Sequence, residues 1–351
     1  MAKAMIAMSG GVDSAVAALL TIRQGHACAG VTLKMFETGL ETCGSGKDAD
    51  DARQVAERLG IPHKVLDVSP HFEQNVIRRF VETYQRGATP NPCIDCNRYI
   101  KFDALYEHIK ALGYDYVVTG HYARIVYDEA SGRYHLCRAA DPAKDQSYVL
   151  YTLSQEQLAH TLFPLGAFSK PQVRDIAAEN GFVNAHKSDS QDICFVPDGD
   201  YAAFIERYTG KPSVPGDFVD ENGHVLGRHR GLIGYTIGQR KGLGLSLKAP
   251  LYVCGKSVEN NHVILGPHER LFGRHLDACD VNWIVYDGAP AAPIRVKAKV
   301  RYKQAEQWAT VTPTGAHTMH VEFDEPQRAM AAGQAVVLYD GDVVVGGGTI
   351  V

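Results

Sequence analysis

Two clusters of residues in this chain have the types and spacing for covalent chemistry. The first is Ser9-Gly10-Gly11-Val12-Asp13-Ser14. Adjacent glycines let a backbone approach an anion closely. The amides of a following helical turn, with the Ser9 and Ser14 hydroxyls, can then hydrogen-bond phosphate oxygens. Asp13 alone would repel phosphate, so it points to a pyrophosphate carrying Mg²⁺. The Lys-Ser/Thr end of a Walker A loop is missing. The second cluster is the Cys93-x-x-Cys96 pair in residues 89–97, which read as a rigid loop braced by Pro90 and Pro92. Arg98 and Lys101 follow, with charge that could lower a thiol pKa. A third cysteine, Cys194, stands in Ser190-Gln191-Asp192-Ile193-Cys194-Phe195. Half of a zinc site would explain the pair, but no second Cys-x-x-Cys or His pair stands at close spacing. Cys194 alone also reads as a small buried hydrophobe. Cys28, Cys43, Cys137, Cys254 and Cys279 have no such context and read as packing residues.

The elements around these clusters alternate. Residues 4–8 read as a buried strand, followed by the Ser9–Gly11 turn and a helix over 12–24 that stops at Gly25. Further strands are expected at 27–33, 64–68 and 116–119, with helices at 50–59, 71–85 and 102–111. Strands alternating with helices predict an α/β fold built on a Rossmann-like parallel sheet covered on both faces. Ligands on such sheets bind at the carboxyl ends of the strands, where Ser9–Ser14 and Gly120-His121 fall. After about residue 205 helical periodicity fades and short alternating segments take over: 251–256, 262–265, 294–302, 319–323 and 335–339. These predict a small β-rich central domain and then a C-terminal β-barrel. The expected domains are 1–205, 206–270 and 271–351.

The chain has 351 residues, 36 Lys+Arg against 40 Asp+Glu, and eight cysteines. This ordinary composition excludes intrinsic disorder and disulfide-dense miniproteins. No apolar run reaches the ~20 residues a membrane helix needs. No export signal is visible, so a reducing, cytoplasmic location is expected, with thiols that are not bridged. A net-acidic protein can bind a polyanion only through local patches. One candidate is Arg295, Lys297, Lys299, Arg301 and Lys303, which alternate with apolar residues and would share one face of a strand. A second patch over 227–248 carries Arg228, Arg230, Arg240, Lys241 and Lys248. Together the two patches point to phosphate contacts with RNA.

The Ser9–Ser14 string resembles the PP-loop of the ATP pyrophosphatases, which split ATP into AMP and pyrophosphate while adenylating a carbonyl oxygen. The likeness then widens. It takes in Pro90-Asn91-Pro92, Cys96-Asn97-x-x-Ile100-Lys101-Phe102, Thr119-Gly120-His121-Tyr122, Lys144-Asp145-Gln146-Ser147-Tyr148 and Ile193-Cys194-Phe195. It continues through Gly238–Gly244 to Gly346-Gly347-Gly348. Over nearly its whole length the chain is similar to the bacterial tRNA-uridine 2-sulfurtransferases. The resemblance implies 2-thiolation of the wobble uridine in tRNAs for Lys, Glu and Gln, with ATP and Mg²⁺. It makes Cys96 the nucleophile and Cys194 the persulfide carrier. It implies an ATP site of Ala7, Met8, Ser9, Gly10, Gly11, Val12, Asp13, Ser14, Leu33 and Gly120. It places Asn91, Pro92 and Cys93 beside the target base, and His121, Lys144, Asp145, Gln146, Arg301, Tyr302 and Gln334 on tRNA.

Adenylation turns the C2 oxygen of uracil into a leaving group, and a thiolate or persulfide then supplies sulfur. A Cys96–Cys194 disulfide would remain for reduction. Where Cys93 stands, the family commonly has an aspartate proposed as general acid/base, so Cys93 is a departure. Cys93, Cys96 and Cys194 together offer three thiolates, the ligand set of a [4Fe–4S] cluster with one open iron, as in other PP-loop tRNA thiolases. The partners expected are tRNA and a sulfur-donor protein or sulfide source, acting on a monomer with no membrane. Two rival readings fit fewer residues. A small-molecule amide or thioamide ligase leaves the basic strand and the cysteines idle. A non-catalytic, zinc-stabilised RNA-binding protein leaves the phosphate loop idle.

Overall fold

The computed structural model describes residues 1–36, 46–184, 193–246 and 249–351. Cys43, Ser190, Gln191, Asp192 and Lys248 lie outside the described residues.

Among the described residues, the N-terminal part contains seven strands: β1 (Lys3–Ala7), β2 (Ala27–Lys34), β3 (His63–Asp67), β4 (Tyr116–Val118), β5 (Ala123–Asp128), β6 (Arg133–Arg138) and β7 (Thr161–Leu162). Five of them form a sheet in the order β3-β2-β1-β4-β7. All four pairings are parallel. Alternation along β1 explains why both faces are covered. Ala4 and Ile6 join one apolar cluster with the helices α1 (Val12–Arg23), α2 (Gly46–Leu59) and α6 (Lys170–Glu179). Met5 joins the other, with α3 (residues 69–85) and α4 (residues 92–111). Two further helices are α5 (Gln155–Ala159) and α7 (Tyr201–Thr209). No helix among the described residues is long and apolar enough to cross a membrane.

The 89–97 segment differs from expectation. Only 89–91 are loop: α4 begins at Pro92, which stands in the first turn, and runs to Ala111. Proline at a helix start costs no hydrogen bond and its fixed φ suits the helix, so the same Pro-rich string serves either structure. Within α4, Cys96–Ala104 is a π-helix with hydrogen bonds from residue i to i+5.

The central domain holds β8 (Gly216–Val219), β9 (Val225–His229), β10 (Tyr252–Ser257) and β11 (His262–Gly266), in the order β10-β11-β8-β9 around Phe218, Tyr235, Val253 and Val263. The C-terminal barrel holds β12 (Phe272–Trp283), β13 (Ile294–Lys299), β14 (Gln307–Gly315), β15 (Thr318–Arg328), β16 (Ala335–Asp340) and β17 (Val343–Ile350). These six run β12-β15-β14-β13-β16-β17, and the pairing of β12 with β17 closes them. The β5–β6 hairpin leaves its own domain's sheet and extends this one, with Cys137 opposite Val343.

The basic strand is shorter than its alternation suggests. β13 ends at Lys299, so Arg301 and Lys303 lie in the turn beyond it. Its charges are also not open. Arg295 pairs with Asp324 on β15, and Lys297 lies 3.9 Å from Glu306. Both cations stand over the Trp308 ring. The acids come from neighbouring strands and the β14 approach, which the composition of residues 288–305 cannot reveal. In the second patch, Arg228 pairs with Asp217 at 3.1 Å.

Candidate active site

The phosphate loop follows from a strand that ends and a helix that begins within a few residues. β1 stops at Ala7 and α1 starts at Val12, with Gly11 as an extended N-cap. The amides ahead of Ala15 have no acceptor inside the helix. Ser14 Oγ donates to the Gly11 carbonyl at 3.0 Å and accepts from the Ser9 amide at 3.2 Å, which folds the turn around the site. Gly10 has a φ of +69°, and a Cβ there would lie 2.4 Å from the Asp48 carbonyl oxygen. A Cβ on Gly120 would lie 2.8 Å from the Asp13 carbonyl carbon and 2.9 Å from the Ser14 amide nitrogen. Only glycine at 120 lets the chain beyond β4 lie against the loop.

Between these segments lies a cavity of about 300 Å³. Of the residues expected to hold ATP, Ala7, Met8, Ser9, Asp13, Ser14, Leu33 and Gly120 line it. Gly10, Gly11 and Val12 form the adjoining turn, and Val12 is buried in the core. His121 and Gln146, expected on tRNA, line the same cavity, as do Thr32, Met35, Lys101 and Thr119. Thr32 stands near the carboxyl end of β2 and Met35 just beyond it. The rule that ligands gather at strand ends would have found them.

Asp13 is paired within the protein. Lys170 Nζ lies 2.8 Å from both of its carboxylate oxygens, and the Tyr122 hydroxyl donates to Oδ1 at 2.7 Å. The Lys170 side chain is only 7% exposed. The charge that seemed to require Mg²⁺ is answered from α6, 157 positions away. No local signal in the sequence marks Lys170. Among the described residues, no three His, Cys, Asp or Glu side chains are grouped so that they could hold a metal ion. Among the described residues, then, Cys93, Cys96 and Cys194 are not grouped as a three-ligand set.

The thiols sit where α4 enters the core. Cys96 is 9% exposed and belongs to the apolar cluster beneath the sheet, and Cys194 packs against that same cluster. Phe195, next in the chain, sits edge-on to Phe80 with ring centres 5.1 Å apart and to Phe72 at 5.8 Å. Cys93, one helical turn before Cys96, is open to solvent. It opens into a crowded cleft, however, and that desolvation raises its thiol pKa despite the opposing charge of Lys101. The expected lowering by Arg98 and Lys101 is thus outweighed. Arg98 turns away to Asp280 on β12, with Nη2 3.2 Å from Oδ1, and lies over Tyr99.

The residues expected on tRNA divide into two groups. His121 is buried, its Nδ1 2.7 Å from Thr119 Oγ1, between Phe102 and Phe163. Burial first, and Lys101 second, hold its pKa well below the usual histidine value. It is therefore neutral at physiological pH. Gln146 accepts the Tyr122 amide at 2.9 Å. Tyr302 is close enough to Cys93 for the two to interact electrostatically, and its hydroxyl donates to the Asp145 carbonyl at 2.9 Å. Lys144 is half-buried beside it. Of these, His121 and Gln146 line the cavity.

The others act as braces. Arg301 donates to the carbonyls of Ala329 at 2.9 Å and Ile237 at 3.3 Å. The Asp145 carboxylate accepts from the amides of Ala139 and Ser147. Gln334 donates to the carbonyls of Thr89 at 2.9 Å and Pro90 at 3.1 Å, fixing the approach to α4. Pro92 is buried. Asn91 lines a second cavity of about 460 Å³ between α3, the start of α4 and the barrel.

Three family models cover the chain: the tRNA methyl transferase HUP domain over residues 2–198, the tRNA methyl transferase PRC-barrel domain over 202–267, and the aminomethyltransferase beta-barrel domain over 273–350. The chain is 52% identical to the tRNA-specific 2-thiouridylase MnmA of Moorella thermoacetica, over 99% of this chain and 98% of that one. It is 51% identical to the protein of the same name from Heliobacterium modesticaldum, over 99% and 92%. It is 49% identical to that of Acetivibrio thermocellus, over 99% of both. A phosphate loop, a thiol pair on the adjoining helix and this relatedness along the full length converge: the chain belongs to the tRNA-specific 2-thiouridylase family.

Proposed function

We propose that this chain replaces the C2 oxygen of a tRNA uridine by sulfur at the expense of ATP, acting on the wobble position of tRNAs for Lys, Glu and Gln. One observation carries the reading: α4 holds Cys96 in the core and, five residues on, presents Lys101 to the nucleotide cavity. Activation and sulfur delivery thereby share one rigid element.

ATP binds with its triphosphate at the loop of residues 9–14 and its adenine toward Leu33. The uridine O2 attacks the α-phosphorus. An O2–P bond forms, the bond to the β-phosphate oxygen breaks, and pyrophosphate leaves with the electron pair. The Cys96 thiolate then attacks the inner sulfur of a Cys194 persulfide. A Cys96–Cys194 disulfide forms, and the outer sulfur departs as hydrosulfide. Hydrosulfide bonds to C2, and AMP leaves with the C2–O2 electron pair. The disulfide is reduced by an external thiol before the next turnover. Neutral His121 offers its free ring nitrogen to the uracil edge, and a wobble base is already single-stranded, which lowers the cost of extracting it.

The test is thiolation of an unmodified tRNA transcript with ATP and a persulfide donor, read as 2-thiouridine by nucleoside mass spectrometry. Cys96→Ser and Cys194→Ser should each abolish 2-thiouridine while ATP binding persists. Full thiolation by both variants would overturn the sulfur path.

A further inference from the structure

A nucleotide triphosphate brings about four negative charges into a cavity, and backbone amides alone answer only part of them. Among the described residues that line this cavity, Lys101 is the sole lysine or arginine. Lys170 is buried against Asp13 and does not line it. Lys101 is half-buried and forms no salt bridge or hydrogen bond with the described residues. A cation partly withdrawn from water, paired with no carboxylate among the described residues, is a costly arrangement unless an anion arrives.

Its position on α4 is also specific. Lys101 stands in the π segment Cys96–Ala104, five residues after Cys96. In an α-helix, residues five apart diverge. Hydrogen bonding from i to i+5 brings them back toward one side. The widened turn therefore directs Lys101 to the side of the helix that carries Cys96. Its charge reaches both Cys93 and the cavity-lining His121. Lys101 thus lines the cavity and lies within electrostatic reach of Cys93.

We propose that Lys101 binds the α-phosphate oxygens of the nucleotide and stays on them through adenylation and the departure of AMP, as a catalytic residue of the reaction. This rests on the adenylation reading above. When uridine O2 bonds to the α-phosphorus and pyrophosphate leaves, charge gathers on the non-bridging oxygens. A fixed ammonium there stabilises the crowded phosphorus more than the ground state. The same contact stabilises AMP when the C2–O2 bond breaks.

The experiment compares wild type, Lys101→Met and Lys101→Arg in two measurements. The first is calorimetric binding of ATP, AMP and adenosine. The second is pyrophosphate release on adding tRNA. Lys101→Met should bind adenosine as the wild type does and lose at least tenfold in AMP and ATP affinity. Its pyrophosphate release should fall by roughly 10²–10³ in kcat, the size of a lost transition-state charge contact. Lys101→Arg should recover phosphate affinity. Unchanged AMP affinity in Lys101→Met would overturn the proposal. So would a change confined to the pH dependence of thiol alkylation, which would make Lys101 a tuner of cysteine instead. Adenosine binding that fails together with AMP binding would mean damage to the cavity, and would also count against the proposal if Lys101→Arg did not restore it. If wild type releases no pyrophosphate with tRNA, the adenylation reading fails, while the AMP-against-adenosine comparison still decides whether Lys101 holds a phosphate.

Discussion

Replacing Lys170 by methionine isolates the ion pair that answers the loop aspartate. Lys170→Met keeps the length of the side chain and the packing of α6 while removing the ammonium 2.8 Å from both Asp13 oxygens. At that separation and an effective dielectric near 20, the gross attraction is about 6 kcal/mol. The net effect is smaller. Removing one partner of a buried pair typically costs ~3–5 kcal/mol because the other charge is left unpaired. Asp13 is 30% exposed and keeps the Tyr122 hydroxyl, so water and one hydrogen bond soften the loss. An outcome near 2 kcal/mol follows, equal to about 30-fold faster local opening. The assay is hydrogen–deuterium exchange of the peptide spanning residues 9–23, in the full-length chain.

The same variant should raise the KM for ATP, because Asp13 would face the triphosphate uncompensated. Asp13→Asn alone strands Lys170 and should also open the loop. The double replacement Asp13→Asn with Lys170→Met removes both charges and should return exchange and KM most of the way to wild type. If the double variant is as open as the sum of the singles, the pair is not coupled and the reasoning is refuted.

Two further outcomes can be checked. Burial, only partly offset by Arg79 and Arg98, raises the Asp95 carboxyl to about 6 from an ordinary value near 3.8, so its favourable contribution is complete below pH ~3.8 and disappears as pH rises through 6. Wild type should therefore lose about 2.4 kcal/mol relative to Asp95→Asn between pH 4 and 8, measured by urea unfolding, and parallel pH profiles would contradict this. Arg295 and Lys297 are already paired with Asp324 and Glu306, so Arg295→Gln with Lys297→Gln should leave tRNA affinity and its salt slope nearly unchanged, in contrast to the expectation from sequence; a slope reduced by about two would show that RNA displaces the acids.

What could be read from the chain beforehand was local. A strand, two glycines and a helix in succession specify the phosphate loop. Strands alternating with helices announce a parallel sheet covered on both faces. What could not be read depends on register or on distant partners. Lys170 reaches Asp13 across 157 positions, and nothing around Ser169-Lys170-Pro171 distinguishes it from an ordinary helix start. The pairing of Arg295 with Asp324 follows from the order of β13, β14 and β15, which residues 288–305 do not contain. The helix at Pro92 was hidden because proline suits a first helical turn as well as a rigid loop. The β5–β6 hairpin looks like part of the α/β domain but finds its edge partner on β17.

The barrel's place in the catalytic arrangement follows from these same distant contacts. The start of α4 is held on one side by the 331–334 turn: the Thr89 amide donates to the Ala332 carbonyl at 2.8 Å, and Gln334 donates to Thr89 and Pro90. On the other side, Arg98 pairs with Asp280 of β12. The two anchors lie on either side of Cys93 and Cys96 along the helix, and both come from the barrel. A helix fixed at its first turn and again at Arg98 cannot rotate, so the exposure of Cys93, the burial of Cys96 and the direction of Lys101 are set together. The C-terminal domain thus acts on the chemistry without lining the nucleotide cavity. It holds the phase of the one helix on which the thiols and the cavity's cation both stand.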